Sequence, residues 1–348
     1  MAMERTALGR SGIEVSAYCL GTMTYGRRTA PEDAHRQMDM ARDAGIDFLD
    51  TAEMYPVNPA RSDTIGRTEE IVGDWFARTG RRDEWVVATK ILGPSGLARG
   101  GAGISPGAVR EAVDASLGRL RTDRIDLYQF HWPNRGSYHF RQNWHFDPSG
   151  QDPAEVAGHM SEVMETLRAL VAEGKIRAFG LSNDTAWGTV RWCDAAEASG
   201  GPRVAAVQNE YSLLCRHYDT DMAEMAHHEG VTLLAYTPLA AGLLTGKYRG
   251  GDVPEGSRAS INAELGGRWT ERALLAAEAY VALARTHGLD PVHMALAFCR
   301  QRPFHCVPIV GATDAGQLER ILEGTDVVLG EDVLEGIAEL HRAHPMPF

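Results

Sequence analysis

The chain has 348 residues, a formal net charge of −12 at pH 7, and 44% hydrophobic against 24% charged residues, the composition of an ordinary globular protein. The acidic balance, with an isoelectric point near 5.5, excludes binding along a nucleic-acid backbone, which needs a basic face. No apolar run reaches the roughly 18 residues of a membrane span, and residues 1–20 lack the basic start and apolar core of a secretory leader. The expectation is a cytoplasmic protein with neither membrane nor nucleic-acid partner.

Within the first fifteen residues, Arg5–Leu8 and Ile13–Val15 flank Gly9-Arg10-Ser11-Gly12, a hairpin signal. Strand-length apolar runs then follow at Ala17–Leu20, Phe48–Leu49, Val86–Ala88, Leu127–Phe130, Phe179–Leu181, Val204–Val207, Leu233–Ala235 and Val307–Val310. Helical patterns alternate with them. Pro31 opens one that turns Met38 and Ala41 inward; Ser105-Pro106 opens another with Val109, Val113, Leu117 and Leu120 on one stripe; Asp290-Pro291 opens a third. Gly45, Gly80, Gly174, Gly200, Gly230, Gly288 and Gly324 stand just past helical segments, where a left-handed cap favours glycine. A doubly wound sheet is one solution. Eight strand–helix units without a composition break favour the other, a single α/β domain over 1–348 built as a (β/α)8 TIM barrel, its bottom covered by the N-terminal hairpin.

Two long segments, 93–107 and 133–153, follow strand runs and so belong on the C-terminal face, where barrel active sites are built. The second carries Tyr138, His139, Phe140, Trp144, His145 and Phe146, which form either a wall for an apolar substrate or a self-packed loop. Of the 35 basic residues only Lys90, Lys175 and Lys247 are lysine. A GC-rich coding sequence accounts for the arginine bias, though not for which lysines remain. The cysteines, Cys19, Cys193, Cys215, Cys299 and Cys306, are scattered with no CxxC pair, which suits free thiols in a reducing compartment and argues against zinc. His131, His139, His145 and His159 have no carboxylate or thiolate at ligand spacing, so no metal is expected.

Four polar residues end strands two to four: Asp50 in FLDTAEMY, Tyr55 five residues later, Lys90 in VVATK and His131 in LYQFHW. Each alone has a commonplace reading as a helix cap or a satisfied core residue. Together they suit carbonyl reduction, in which negative charge grows on an oxygen that needs a proton donor and stabilisation. A free tyrosine is too weak an acid, and a neighbouring ammonium lowers its pKa. Lys90 supplies that charge, Asp50 holds Lys90, and His131 hydrogen-bonds the substrate oxygen. The one GxSxG spacing, Gly103–Gly107, has its Ser105 at the helix-opening position described above rather than in a strand-to-helix elbow, so it offers no hydrolase nucleophile, and residues 93–107 contain no phosphate-binding fingerprint.

With these residues the chain resembles the aldo-keto reductase family over nearly its whole length, from GTMTYG (Gly21–Gly26) through GKIRAFGLSN, VQNEYSLL and AYTPLAAGLLTGKY to GATDAGQL (Gly311–Leu318). AEMYPVNP and the long loop after His131 look most like the bacterial Tas-like branch, related to the β subunits of Shaker-type potassium channels. The resemblance implies an NADPH-dependent reductase acting on small carbonyl compounds, with Asp50, Tyr55, Lys90 and His131 as its catalytic tetrad; Tyr55, His131, Trp132 and Trp144, at the end of the fourth strand and in the loop after it, are expected to meet substrate. It places Thr22, Met23 and Asp50 beside the nicotinamide ribose, Ser182, Asn183 and Gln208 on the carboxamide, and Tyr236 against the ring. Pro238, Leu239, Ala240, Gly242 and Lys247 would follow the pyrophosphate, and Arg258 the adenosine phosphate. Gly311, Ala312, Thr313 and Gln317 keep the family's last cofactor segment. Arg320-Ile321 replaces its usual Glu and Asn: either Arg320 reaches the 2′-phosphate or adenine, or adenine is held loosely and NADH is accepted too. The channel-subunit kinship leaves a second reading, a cofactor-loaded binding module with little turnover, and Lys90 leaves a third, Schiff-base chemistry on the same barrel.

Overall fold

The computed structural model describes residues 3–348. In chain order the elements are β1 (Arg5–Ala7), β2 (Glu14–Ser16), β3 (Cys19–Gly21), α1 (Pro31–Asp43), β4 (Phe48–Asp50), α2 (Arg67–Thr79), β5 (Val86–Ile91), α3 (Pro106–Leu120), β6 (Ile125–Phe130) and α4 (Pro153–Ala172). They continue with β7 (Ile176–Ser182), α5 (Ala186–Ser199), β8 (Val204–Glu210), α6 (Asp221–Glu229), β9 (Thr232–Tyr236), α7 (Arg258–Ile261), α8 (Glu271–Thr286), α9 (Pro291–Arg300), β10 (Cys306–Val310), α10 (Ala315–Leu322) and α11 (Glu331–Ala343). Strands β3 to β10 are parallel and close in the order β10-β3-β4-β5-β6-β7-β8-β9. This is a (β/α)8 barrel, and the doubly wound alternative falls away because β10 pairs back onto β3. All eight apolar runs become strands, the first beginning at Cys19 rather than Ala17.

The period of two along each strand decides what fills the barrel. Low inward positions are apolar: Phe48, Ala88, Leu127, Ala206, Leu234 and Val307 form one buried cluster. Two residues further along β4, β5, β6 and β8 stand Asp50, Lys90, Gln129 and Gln208, all buried. The barrel thus has an apolar floor and a polar upper layer. Leu8, Ile13 and Val15 of the hairpin join the floor cluster. Gly9 at their turn (φ 56°) donates its N–H to Thr232 Oγ1 at 2.9 Å, and a Cβ there would lie 2.3 Å from the Ala205 carbonyl oxygen. Only glycine lets the hairpin seat that deeply.

Ser105 and Asp290 cap α3 and α9 through side-chain oxygens, on Ala108 N and Val292 N. Six of the seven glycines expected to follow helices have φ between 64° and 87°. Gly324 differs. Its φ is not left-handed, and a Cβ there would fall 2.1 Å from the His293 ring, so this glycine answers to close packing. The long segments 93–107 and 133–153 both leave the C-terminal ends of barrel strands, and a third long connection, 237–270, joins β9 to α8. Among the described residues no helix is long and apolar enough to cross a membrane.

Candidate active site

The polar layer converges on Asp50. Lys90, fully buried, donates from Nζ to Asp50 Oδ2 at 2.7 Å and to the Thr51 carbonyl at 2.8 Å. Asp50 Oδ1 accepts from Gln208 Nε2 at 2.8 Å and from Gln129 Nε2 at 3.2 Å. A carboxylate this deep needs such partners, because burial without them costs several kcal/mol. The third Lys90 bond reaches Tyr55 Oη at 3.4 Å. Tyr55 is placed by the turn leaving β4, its N–H bonded to the Ala52 carbonyl. Burial lowers the pKa of Lys90, but Asp50 and Tyr55 outweigh it and raise the net value, so the ammonium stays charged. Schiff-base chemistry asks for the opposite shift.

The expected lowering of the tyrosine is corrected in sign. Burial pushes the Tyr55 hydroxyl above its ordinary value, and the Lys90 charge opposes this without reversing it. The phenol is therefore protonated at neutral pH, the state a proton donor requires. His131 follows β6, its ring edge-on to Tyr55 with centroids 5.8 Å apart. Burial, reinforced by the Lys90 charge, holds its pKa well below the usual range, so the imidazole is neutral. Its Nδ1 is buried without a hydrogen-bond partner among the described residues. Asn183, at φ 53°, donates from Nδ2 to the His131 carbonyl at 2.9 Å and accepts from Tyr236 Oη at 2.8 Å. Ser182 Oγ donates to the Gln208 carbonyl at 2.8 Å.

Above this floor opens a cavity of about 960 Å³, roomy enough for an extended cofactor and a small substrate. Tyr55, Asp50, His131 and Trp132 line it, as do Thr22, Met23, Ser182, Asn183, Gln208, Tyr236, Pro238, Leu239, Gly242, Lys247, Arg258, Gly311, Ala312, Thr313, Gln317 and Arg320. Lys90 lies behind Tyr55, out of the lining. Two of the expected residues, Ala240 and Trp144, lie outside the lining. Ala240 is buried beneath its loop and Ala241 faces the cavity instead. Trp144 does not line it; that indole is 54% exposed, and from its loop Phe140 and Arg141 reach the cavity. Tyr138 instead stacks on His139, whose Nε2 lies 3.1 Å from the Asp184 carbonyl oxygen.

The residues fit a phosphorylated dinucleotide. Among the described residues, six cationic side chains (Arg28, Arg141, Lys247, Arg258, Arg268 and Arg320) and one carboxylate, Asp50, line the cavity, in a chain whose net charge is −12. Arg258 is the most telling, since burial, reinforced by the Arg268 charge, brings its pKa down to about 10; Nη2 donates to Asn58 Oδ1 at 3.3 Å, but its Nε is buried with no partner among the described residues. A cation under that penalty is completed by an anion. Gly242 sits where a Cβ would meet Lys247 Cε at 2.8 Å, keeping the loop after β9 tight. Arg320 is less free: Nε and Nη2 bind Asp290 at 2.9 and 3.0 Å. Gln317 spends its amide on Thr313 and Asp314.

Residues 17–342 match the sequence profile of the Aldo/keto reductase family. The chain is 41% identical to Protein tas of Escherichia coli K12, over 99% of each chain, and 33% identical to the uncharacterized oxidoreductase YrpG of Bacillus subtilis, over 97% of this chain and 96% of that protein. A probable voltage-gated potassium channel subunit beta of Arabidopsis thaliana is 28% identical over 99% of this chain and 98% of its own length. With a closed parallel barrel, a buried Asp–Lys–Tyr chain at its C-terminal face and this match, the chain belongs to the aldo/keto reductase family.

Proposed function

We propose that this chain, acting as one barrel domain in the cytoplasm, is an NADPH-dependent reductase that converts aldehydes or ketones to alcohols. The observation that carries the reading is Lys90, hydrogen-bonded to both Asp50 and Tyr55 on the floor of a cation-lined cavity. The dinucleotide, when bound, supplies the hydride. Tyr55 Oη donates the proton to the carbonyl oxygen as negative charge grows there, and the adjacent Lys90 ammonium stabilises the phenolate left behind. Neutral His131 hydrogen-bonds the same oxygen and fixes its direction. Tyr236, held by Asn183, offers a flat face for the nicotinamide, and Lys247 and Arg258 neutralise phosphate. Arg320, already paired with Asp290, leaves preference for the 2′-phosphate to those two and Arg28, and NADH is accepted more weakly.

Tyr55→Phe tests this. Turnover of an aldehyde is expected to fall about 10²–10⁴-fold, while NADPH binding, followed by its fluorescence, stays within experimental scatter. Equal loss of binding and turnover makes Tyr55 structural. Tight NADPH binding by the wild type with no turnover across aldehydes, ketones and quinones replaces this reading with the binding-module one.

A further inference from the structure

The glycine-rich segment 93–107 contributes nothing to the cavity lining, yet it is fastened to the strand ends that carry Tyr55, Lys90 and His131. Its anchor is Arg99. Nη1 and Nη2 donate to the two carboxylate oxygens of Glu53 at 3.0 and 2.8 Å, and Nη2 also reaches the Leu92 carbonyl at 3.0 Å. Both side chains are largely buried, 15% and 6% exposed. Glu53 Oε1 accepts in turn from the Leu92 N–H at 2.6 Å, and the Glu53 N–H donates to the Lys90 carbonyl at 3.1 Å. Glu53 stands two residues before Tyr55, and Leu92 two after Lys90. Glu53, Arg99 and Leu92 therefore close a ring that ties the tyrosine's turn to the end of β5.

The ring is kept at a conformational cost. Arg99 adopts φ 48°, and Gly100 and Gly101 follow at 60° and 93°. Glycine turns this way freely; an arginine does so only where its contacts over-determine the position. The same segment grips the residues that follow His131. Trp132 Nε1 donates to the Pro94 carbonyl at 3.3 Å, and the Asn134 side chain exchanges two bonds with the Ile104 backbone at 2.8 and 2.9 Å. Between the three strand ends, the contact most sensitive to a shift is Lys90 Nζ to Tyr55 Oη. At 3.4 Å it lies at the long limit of a hydrogen bond, whereas Lys90 holds Asp50 at 2.7 Å. Lys90 is thus anchored by Asp50, and the position of Tyr55 depends on its turn.

We propose that Arg99 is a positioning residue for the reduction. Acting through Glu53 and Leu92, it fixes Tyr55 at the distance from Lys90 at which the ammonium stabilises the phenolate left by proton transfer. The inference rests on the reductase reading above.

The test is a double-mutant cycle. Arg99→Met is expected to lower kcat for an aldehyde about 10–100-fold, as a misplacement of about 1 Å does. NADPH affinity stays unchanged, because neither Arg99 nor Glu53 lines the cavity. In a Tyr55→Phe background, single-turnover rates are expected to show no further loss on Arg99→Met, since Arg99 acts through the tyrosine. Arg99→Lys keeps the charge without the fork and loses less, which also serves if the methionine variant does not fold. Losses that multiply across the two backgrounds, or NADPH affinity falling as far as kcat, overturn the proposal and make Arg99 a support of the fold. Crystal structures of the wild type and the Arg99 variants give a readout free of turnover, the Tyr55 Oη–Lys90 Nζ separation. If it widens in the variants while even the wild type reduces no carbonyl, the positioning role stands and the reductase reading falls. If it is the same in all of them, the positioning role falls.

Discussion

Lys90 is the point at which stability and chemistry meet. The lysine is fully buried, and Asp50, its 2.7 Å partner, is held in turn by Gln129 and Gln208. Replacing it with methionine removes the charge beside Tyr55 and also strands a buried carboxylate, which costs about 3–5 kcal/mol. Loss of activity in Lys90→Met alone therefore does not separate catalysis from folding. The pair Asp50→Asn with Lys90→Met does. The double variant is expected to recover most of the stability in urea denaturation while turnover stays lost, because Tyr55 is then desolvated with no opposing charge. A double variant as unstable as the single one would mean that the cost lies in packing around Lys90. Of the other lysines, Lys247 lines the cavity and Lys175 pairs on the surface with Asp114 at 2.6 Å, a contact worth little.

Elements were legible in the sequence wherever a period was. Short continuous apolar runs mark the eight strands, which are buried on both faces, and the period of two, carried two residues past Phe48, Ala88, Leu127 and Ala206, picks out Gln129 beside Asp50, Lys90 and Gln208, a residue the motifs alone miss. Strand ends placed Asp50, Lys90 and His131 by the same logic. Loops were not legible, because nothing periodic ties a side chain in 133–153 or 237–270 to a direction. Trp144, expected at the substrate, is exposed and outside the cavity lining, while Arg141 and Arg268, which line it, are hidden among 32 arginines. Close packing between helices is equally silent. Gly73 lies inside α2, where alanine normally stabilises, yet a Cβ there would sit 2.2 Å from the Arg119 carbonyl oxygen of α3. Gly73→Ala is expected to cost about 1–3 kcal/mol, whereas Gly158→Ala in α4, with open space around it, gains about 0.5–1 kcal/mol. Thermal melts of the two variants in parallel check this, and equal effects would mean that α2 and α3 separate freely.

At the scale of the whole molecule, an acidic chain concentrates positive charge in one cavity and ties the surrounding loops to it through few carboxylates. Glu210 is the chief tie. It joins the end of β8 to Arg141 in 133–153 and Arg268 in 237–270, so three separate segments depend on one ionised group. Its folded pKa of about 2 lies below the ordinary 4.5. A depressed carboxylate contributes stability that is complete above the unfolded pKa and is lost as pH falls through the folded one. Its contribution is therefore constant from neutrality down to about pH 4.5 and shrinks between there and about pH 2. Glu210→Gln leaves two buried guanidiniums without a counter-charge, and at pH 7 is expected to cost about 3–5 kcal/mol. The gap between wild type and variant, measured by urea denaturation from pH 7 to pH 3, should hold steady and then narrow below pH 4.5. A gap that stays constant down to pH 3 would show that hydrogen bonding and packing, which glutamine largely keeps, hold these loops, and that the charge of Glu210 does not.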